Sequence, residues 1–487
     1  MNIDLPAALS SLTPRQEKIR ALFDKLAPER GQWVEKNSYF HLADHEYMRF
    51  LIPAGARVLE IGCGDGQLIA ALNTARGVGL DLSPEMIRIA QARHPHIEFH
   101  VGNAEDPATL TRIQGPFDYI VISDTIGLIE DCEALFALVH RCTTPETRLV
   151  VAYYSHLWDP ILRLAERMGW KMPQAPQNNL ATADIVNLLT LTDYQVVRRE
   201  WRQLLPRRLL GLGELVNRYI ATLPGIRRFC LRNYVVARPM PLSGRPAPLP
   251  SVSVVVPCRN ERGNIENAVK RLPPFAPDIE IVFVEGHSKD GTLEECERVR
   301  AAYPDRDIKV MRQDGKGKGD AMRKGFAAAR GDILMILDAD LTVPPESLPK
   351  FYEALVMGRG EFINGTRLVY PMEAEAMRFL NNIANHIFAI LFSYLLNQRF
   401  TDTLCGTKVL RKRDYERIVA NRGYFGEFDP FGDFDLIFGA VKLNLKIVEV
   451  PIRYDARSYG ETQISRFTHG WLLLRMVVFA WRKLKAF

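Results

Sequence analysis

No C-x-x-C pair occurs anywhere in the 487 residues, and the seven cysteines (Cys63, Cys132, Cys142, Cys230, Cys258, Cys296, Cys405) are odd in number and widely scattered. That pattern excludes a disulfide framework and a cysteine zinc site, and a reducing cytosol suits it best. No uncharged apolar run reaches the roughly 18 residues that a membrane-spanning helix needs. The opening residues MNIDLPAALSSLTPRQEKIR lack the basic start and apolar stretch of a secretory leader, so export is not expected. Charge of one sign is also scarce: 63 Lys and Arg against 57 Asp and Glu leave +6. Over this length that bias does not argue for nucleic acid, and no concentrated basic and aromatic patch adjoins the first glycine-rich motif, so no nucleic-acid partner is expected.

What is present is an ordinary globular composition, with 47% hydrophobic and 25% charged residues, long enough for two to four domains. Closely spaced prolines over 239–250 mark a linker of extended chain. On each side the same pattern recurs: a short β-branched run, a glycine-rich or acidic loop, then a helical stretch, which is how parallel α/β sheets are encoded. Strands are expected at 57–61, 77–81, 97–101, 117–122, 148–152, 195–199 and 234–237, then at 252–257, 280–284, 308–311 and 333–337. Residues before about Pro53 read as a helical preface with no evident chemistry.

In the first half, a buried strand runs into three alternating glycines, Arg57-Val-Leu-Glu60-Ile-Gly62-Cys-Gly64-Asp-Gly66. Such a turn lets backbone N–H groups approach a ligand at a helix N-terminus. The next strand ends in Asp81, a carboxylate placed to accept both hydroxyls of a ribose. The spacing G-x-G-x-G, rather than G-x-G-x-x-G, argues against a nicotinamide dehydrogenase. After the fifth expected strand come Tyr153, Tyr154 and a single imidazole, His156, more readily read as a structural hydrogen-bonder than as a base.

Over most of 35–238 the chain resembles the class I S-adenosylmethionine-dependent methyltransferases. VLEIGCGDG is similar to their first motif, Asp81 to their ribose acid, Gly102-Asn103-Ala104-Glu105-Asp106 to their adenine-side loop, and FDYIVISD ending at Asp124 to their fourth strand. The resemblance implies S-adenosyl-L-methionine as cofactor, held by Glu60, Gly62, Gly64, Asp81, Leu82, Asn103, Ala104 and Glu105. Asn103 stands where the family often carries an acid.

In the second half, Asp332-Ile-Leu-Met-Ile-Leu337 is a buried strand ending in Asp338-Ala339-Asp340. Carboxylates at i and i+2 of extended chain point to one side, so the pair can hold a hard divalent cation whose other positions take diphosphate oxygens. Lys316 and Lys318 lie between glycines, where a phosphate contact and a solvated loop are equally good readings. Asp433 and Asp435 suit either a helix cap or a base that activates a hydroxyl acceptor.

Six motifs in order make 250–470 resemble glycosyltransferase family 2, and within it the dolichyl- and polyprenyl-phosphate sugar synthases: VVVPCRNE, VEGHSKDGT, GKGKGDAMRKGF, LDADLTVPPE, then NGTR with DTLCG, and VEVPIRYDARSYGET. The resemblance implies that Pro257, Glu261 and Glu285 hold the nucleoside, Asp338, Ala339 and Asp340 the metal and diphosphate, and Arg457 and Arg466 the phosphates. Glu285-Gly286 replaces the usual paired aspartates, so both GDP- and UDP-sugars stay open as donors.

The expectation is therefore an α/β protein of two Rossmann-like domains, a class I methyltransferase fold at 35–238 behind a preface at 1–34, and a GT-A glycosyltransferase fold at 251–465. A basic amphipathic helix at 466–487, without an acid after Glu461, is expected to lie on a membrane surface, as is the apolar stripe Leu380, Ile383, Ile387, Leu391 and Leu395. The implied function is Mg²⁺- or Mn²⁺-dependent, inverting sugar transfer to a polyprenyl phosphate, on the cytoplasmic face of a membrane, with methylation of an unknown acceptor. The competing expectation is transfer to a glycan or small-molecule hydroxyl, with the first domain a binding or sensing module.

Overall fold

The computed structural model describes residues 12–178, 180–240, 247–367, 379–425, 432–453, 459 and 466–486, the side chains of 379–385 and 466–470 excepted. Two compact units divide the chain at Met240 and Pro241.

The first unit is built on seven strands: β1 Arg57–Ile61, β2 Arg76–Asp81, β3 Glu98–Val101, β4 Tyr119–Ser123, β5 Arg148–Tyr154, β6 Tyr194–Arg202 and β7 Arg232–Pro239. They lie in the order β3-β2-β1-β4-β5-β7-β6. β1 pairs in parallel with β2 on one side and β4 on the other, whereas β7 inserts antiparallel between β5 and β6. Strands covered on both faces need near-continuous apolar sequence, which is why YIVIS and RLVVAYY are buried almost throughout. Leu59, Ile61, Val78, Ile120, Ile122, Phe136 and Val235 form the centre of this core. The chain leaves β1 at the point where strand order reverses, and a crevice opens there at the carboxyl ends of the strands.

The preface belongs to this unit, as helices Pro14–Leu26, Arg30–Lys36 and Ser38–Leu51. Thr13 starts the first with a capping box: its hydroxyl accepts from Gln16 N, and Gln16 Oε1 accepts from Thr13 N.

The second unit also has seven strands: β8 Val252–Cys258, β9 Ile279–Glu285, β10 Asp307–Arg312, β11 Ile333–Ile336, β12 Phe362–Thr366, β13 Lys408–Arg411 and β14 Ile447–Pro451. Their order is β10-β9-β8-β11-β13-β12-β14, with β13 antiparallel to both β11 and β12. The first four are parallel and read directly from sequence; β8, β9 and β11 are buried, while β10 at the sheet edge is largely half-buried. The last three were not anticipated: FINGT, KVLR and IVEVP are short and carry glycine, charge or proline, and they are strands because of their partners. Val254, Val256, Phe283, Met335 and Phe351 anchor the core.

The helices Phe379–Leu396 and Arg466–Leu484 are present where expected. Of the expected stripe in the first, Ile387 is exposed, Leu391 half-buried and Leu395 buried, and the side chains of Leu380 and Ile383 lie outside the described residues. Ile390 is exposed as well, but Phe392 and Leu396 are buried, with Phe392 5.4 Å from the ring of Phe434. The C-terminal helix likewise buries Leu473, Met476, Ala480 and Leu484 while exposing Trp471, Leu474 and Val478. Among the described residues no helix is long and apolar enough to cross a membrane.

Candidate functional sites

In the first unit, Gly62, Gly64 and Gly66 have φ of 76°, 54° and 75°, a region costly for any residue with a Cβ. Space is equally restrictive, since a Cβ on Gly62 would lie 1.9 Å from Thr125 Oγ1. The turn is closed by Asp81, whose Oδ2 accepts from Gly64 N at 2.8 Å and Oδ1 from Ser83 N at 2.9 Å. Burial pushes Asp81 above the ordinary carboxylate value, and those two bonds offset part of the rise. Glu60 sits behind the turn, accepting from Ile69 N at 3.1 Å, and burial pushes it well up.

Glu60, Gly62, Gly64, Asp81, Leu82, Asn103, Ala104 and Glu105 all line one cavity of about 490 Å³. That volume suits a ligand of nucleoside size. The amides and acids of its far loop are partly committed to the protein itself. Asn103 Nδ2 donates to Gln16 Oε1 at 3.2 Å, and Glu105 accepts from Gln16 Nε2 and from Glu130 N and Asp131 N. Glu105 therefore braces the loop against the preface.

Sequence reasoning missed the other wall. Arg232, on β7 and fully buried, donates from Nε to Asp44 Oδ1 at 2.8 Å and from Nη2 to Ser123 Oγ at 2.7 Å, and its Nη1 pairs with Asp124. Tyr234 donates to the same Asp44 carboxylate. Burial alone would raise Asp44, but the Arg232 charge and the hydrogen bonds from Arg232 and Tyr234 together hold the carboxyl below the ordinary value. Asp124 follows β4 with φ 58°, keeps a third of its side chain exposed, and is pushed up by burial, an effect Arg232 only partly offsets. Asp44, Asp124, His41 and Tyr154 line the cavity, whereas His156 is exposed and outside it. Burial and Arg30 push His41 down to about 3, so it is a neutral imidazole at physiological pH. Asp44 and Arg232 stand 188 residues apart, and neither belongs to a motif, so only the fold reveals the cluster.

In the second unit the motifs converge at the carboxyl ends of β8, β9 and β11. Pro257 is half-buried at the end of β8. Glu261 accepts from Asn264 Nδ2 at 2.7 Å and donates its own N–H to Thr292 Oγ1 at 3.0 Å, tying the first loop to the second. Glu285 is buried, accepts from Ser288 N and pairs with Arg312 at 3.1 Å. Burial opposes its ionisation, yet those contacts hold it below the ordinary value.

Asp338 and Asp340 follow β11, and Ala339 between them is buried. Asp340 Oδ1 accepts from Thr342 N at 3.2 Å and Oγ1 at 2.9 Å. Asp338 lies against Gly406, where a Cβ would stand 1.7 Å from Asp338 Oδ2. The DTLCG motif is thus a cradle for this carboxylate. It is itself held by NGTR, because Arg367 grips Asp402 through Nε at 2.7 Å and Nη2 at 2.8 Å. Glu449 of the VEVP segment accepts from Thr401 N at 2.6 Å and Asp402 N at 3.2 Å.

Lys318 Nζ is 2.7 Å from Asp338 Oδ1 and 3.5 Å from Asp433 Oδ2, which also faces Lys408 Nζ at 3.4 Å. Two glycines permit this: a Cβ on Gly432 would lie 2.4 Å from Gly319 N. Burial opposes ionisation of Asp338, but Lys318, Lys408 and Arg367 together hold it below the ordinary value. Lys316 is exposed, so of the two candidate lysines Lys318 is the one in the site. Asp433 precedes the helix Phe434–Lys442 without a side-chain capping bond, and Asp435 pairs with Arg422 at 2.8 Å. Arg457 lies outside the described residues, as does the side chain of Arg466.

Among the described residues no group of three His, Cys, Asp or Glu side chains forms a metal cage. Two hard carboxylates at a strand end nevertheless fit Mg²⁺ or Mn²⁺, which takes one or two carboxylates and fills its shell from diphosphate and water.

Residues 35–199 match a family model described as Methyltransferase domain, and residues 253–419 match Glycosyl transferase family 2. A dolichol-phosphate mannosyltransferase of Pyrococcus furiosus is 31% identical over 221 residues, 44% of this chain and 59% of that protein. The chain thus spans less than two thirds of the curated relatives it matches. Among solved structures, a SAM-dependent methyltransferase of Thermotoga maritima is 15% identical, covering 45% of this chain and 99% of its own, with TM-score 0.35. Glucosyl-3-phosphoglycerate synthase of Mycobacterium tuberculosis is 19% identical, covering 48% and 80%, with TM-score 0.36. The chain therefore carries two α/β domains, the first matching a methyltransferase domain and the second matching glycosyltransferase family 2.

Proposed function

We propose that the second domain transfers a sugar from a GDP- or UDP-sugar to a polyprenyl phosphate at the cytoplasmic face of a membrane, with inversion. The observation that carries this reading is the acid and lysine cluster Asp338, Lys318, Asp433 and Lys408 at the end of β11. Asp338 and Asp340 would hold a divalent ion, which supplies charge neutralisation to the departing diphosphate. Lys318 stands beside Asp338 to share that charge as it develops. A phosphate acceptor is already ionised and needs no base. Asp433 and Asp435 both face cations, so neither is presented alone to a hydroxyl. The relative named dolichol-phosphate mannosyltransferase supports the lipid-phosphate acceptor. Exposed Trp471, Leu474 and Val478, with Arg475 and Arg482, give the C-terminal helix an outward face suited to a lipid surface.

The first domain would bind S-adenosyl-L-methionine, a methyl donor, across the Gly62–Gly66 turn and Asp81. Asp124, raised by burial although Arg232 pairs with one of its oxygens, and a third exposed in the cavity lining, is then the carboxylate placed to take a proton from the methyl acceptor. The experiment is a panel of GDP- and UDP-sugars with Mg²⁺ or Mn²⁺ and undecaprenyl phosphate in detergent. A glycolipid that disappears in Asp340→Asn is expected; nucleotide release without glycolipid would remove the lipid acceptor.

A further inference from the structure

The helix Asp159–Arg167 follows β5 in the first domain and buries none of its residues. Its sequence is nevertheless strongly two-faced. Leu157, Ile161, Leu164 and Met168, three and four residues apart, share one side, while Arg163, Glu166 and Arg167 occupy the other. A surface helix normally buries such a face; here Ile161 is 53%, Leu164 55% and Met168 50% exposed.

The insertion between β6 and β7 continues the same surface. Leu209, Leu210 and Phe229 are exposed. Trp158 Nε1 donates to Phe229 O at 2.8 Å, and the Arg207 guanidinium lies 4.8 Å from the centroid of the Trp170 ring, which joins insertion to helix. Ile161, Trp170, Arg207 and Leu209 also line the cavity, so this surface rims its mouth. Residues 203–231 carry five arginines (Arg207, Arg208, Arg218, Arg227, Arg228) against one acid, Glu214. Aliphatic and aromatic side chains interleaved with arginine complement an anionic bilayer, where the former enter the acyl boundary and the latter meet phosphates.

We propose that the rim of the methyltransferase cavity is a docking surface for an anionic lipid bilayer, so that the cavity opens onto the membrane and takes an amphiphilic acceptor whose polar part enters it. The proposal goes beyond the methyl-transfer reading and is tested without turnover.

All seven native cysteines are buried, so a nitroxide attaches selectively to an introduced one. The full chain carrying Leu164→Cys, and separately Arg163→Cys, is labelled and mixed with vesicles of phosphatidylcholine alone or with phosphatidylglycerol. On anionic vesicles the label at position 164 becomes accessible to oxygen and shielded from an aqueous nickel chelate, while the label at 163 stays in water. Both labels remaining aqueous on vesicle-bound protein, or equal insertion into neutral vesicles, overturns the proposal. Concentration-dependent immobilisation at 164 without vesicles also overturns it, because a second copy then covers the face. None of these outcomes bears on whether methyl or sugar transfer occurs.

Discussion

Lys318 Nζ sits 2.7 Å from Asp338 Oδ1, a lysine held against the carboxylate that the proposed diphosphate site depends on. The contact exists because Gly319 and Gly432 let their loops approach more closely than any side chain would allow. It gives the site a resident cation before any ion or donor binds, and it keeps Asp338 ionised despite burial.

Replacing Lys318 by Met separates its two effects. Divalent-ion affinity rises, since a competing cation leaves Asp338, while kcat falls by about a hundredfold because a charge at the departing diphosphate is lost. The pH dependence has a definite sign. The folded-state pKa of Asp338 is depressed, so its ionised form contributes above the ordinary aspartate value and is lost as pH falls through the depressed one. Without Lys318 the acid limb of the turnover profile moves to higher pH. An unmoved limb would mean that Lys318 does not govern Asp338.

Gly406→Ala tests the cradle. The added methyl would stand 1.7 Å from Asp338 Oδ2, so the carboxylate must move. A displacement of about 1 Å costs on the order of a hundredfold in rate. Sugar transfer falls by that factor while the circular dichroism spectrum is retained; wild-type turnover would show that Asp338 does not need this position.

In the first domain, Asp44→Ala removes the buried carboxylate shared by Arg232 and Tyr234, leaving Asp124 as the acid paired with Arg232, and costs about 3 kcal/mol. Urea unfolding of the full chain shows the shift in one transition. Asp44 has a depressed folded-state pKa, so its contribution is present above the unfolded aspartate value and lost as pH falls through the folded one. The gap between wild type and variant therefore narrows in acid.

Asp124→Asn separates binding from chemistry. The cofactor contacts proposed for Gly64 and Asp81 are untouched, so S-adenosylmethionine affinity by calorimetry stays within about twofold, whereas methyl transfer falls about 100-fold or more. Equal transfer by both proteins would assign the proton elsewhere.

Much of this was readable from sequence, for physical reasons. Central parallel strands buried on both faces announce themselves as apolar runs, and with the β-branched segments at the sheet edges all seven strands of the first sheet and the first four of the second were anticipated to within a few residues at each end. The glycines and acids at their ends are local signals too, and all eight expected cofactor residues line one cavity. What sequence hid depends on pairing at a distance. β12, β13 and β14 are short strands made by their neighbours, Asp44 meets Arg232 across 188 residues, and the preface that carries Asp44 and His41 offers no motif. Neither Asp433 nor Asp435 showed its surroundings in sequence, because Asp433 faces Lys318 and Lys408 only once three segments distant in sequence converge.

Metal-dependent binding of a nucleoside diphosphate tests the central claim, that Asp338 and Asp340 form a metal–diphosphate site. Equilibrium dialysis of labelled GDP and UDP against the full chain, with Mn²⁺ and with chelator, needs neither acceptor nor sugar. The account predicts saturable binding of one of them with Mn²⁺, abolished by chelator and by Asp340→Asn. Binding that is equally tight in chelator, or unchanged in Asp340→Asn, would contradict it.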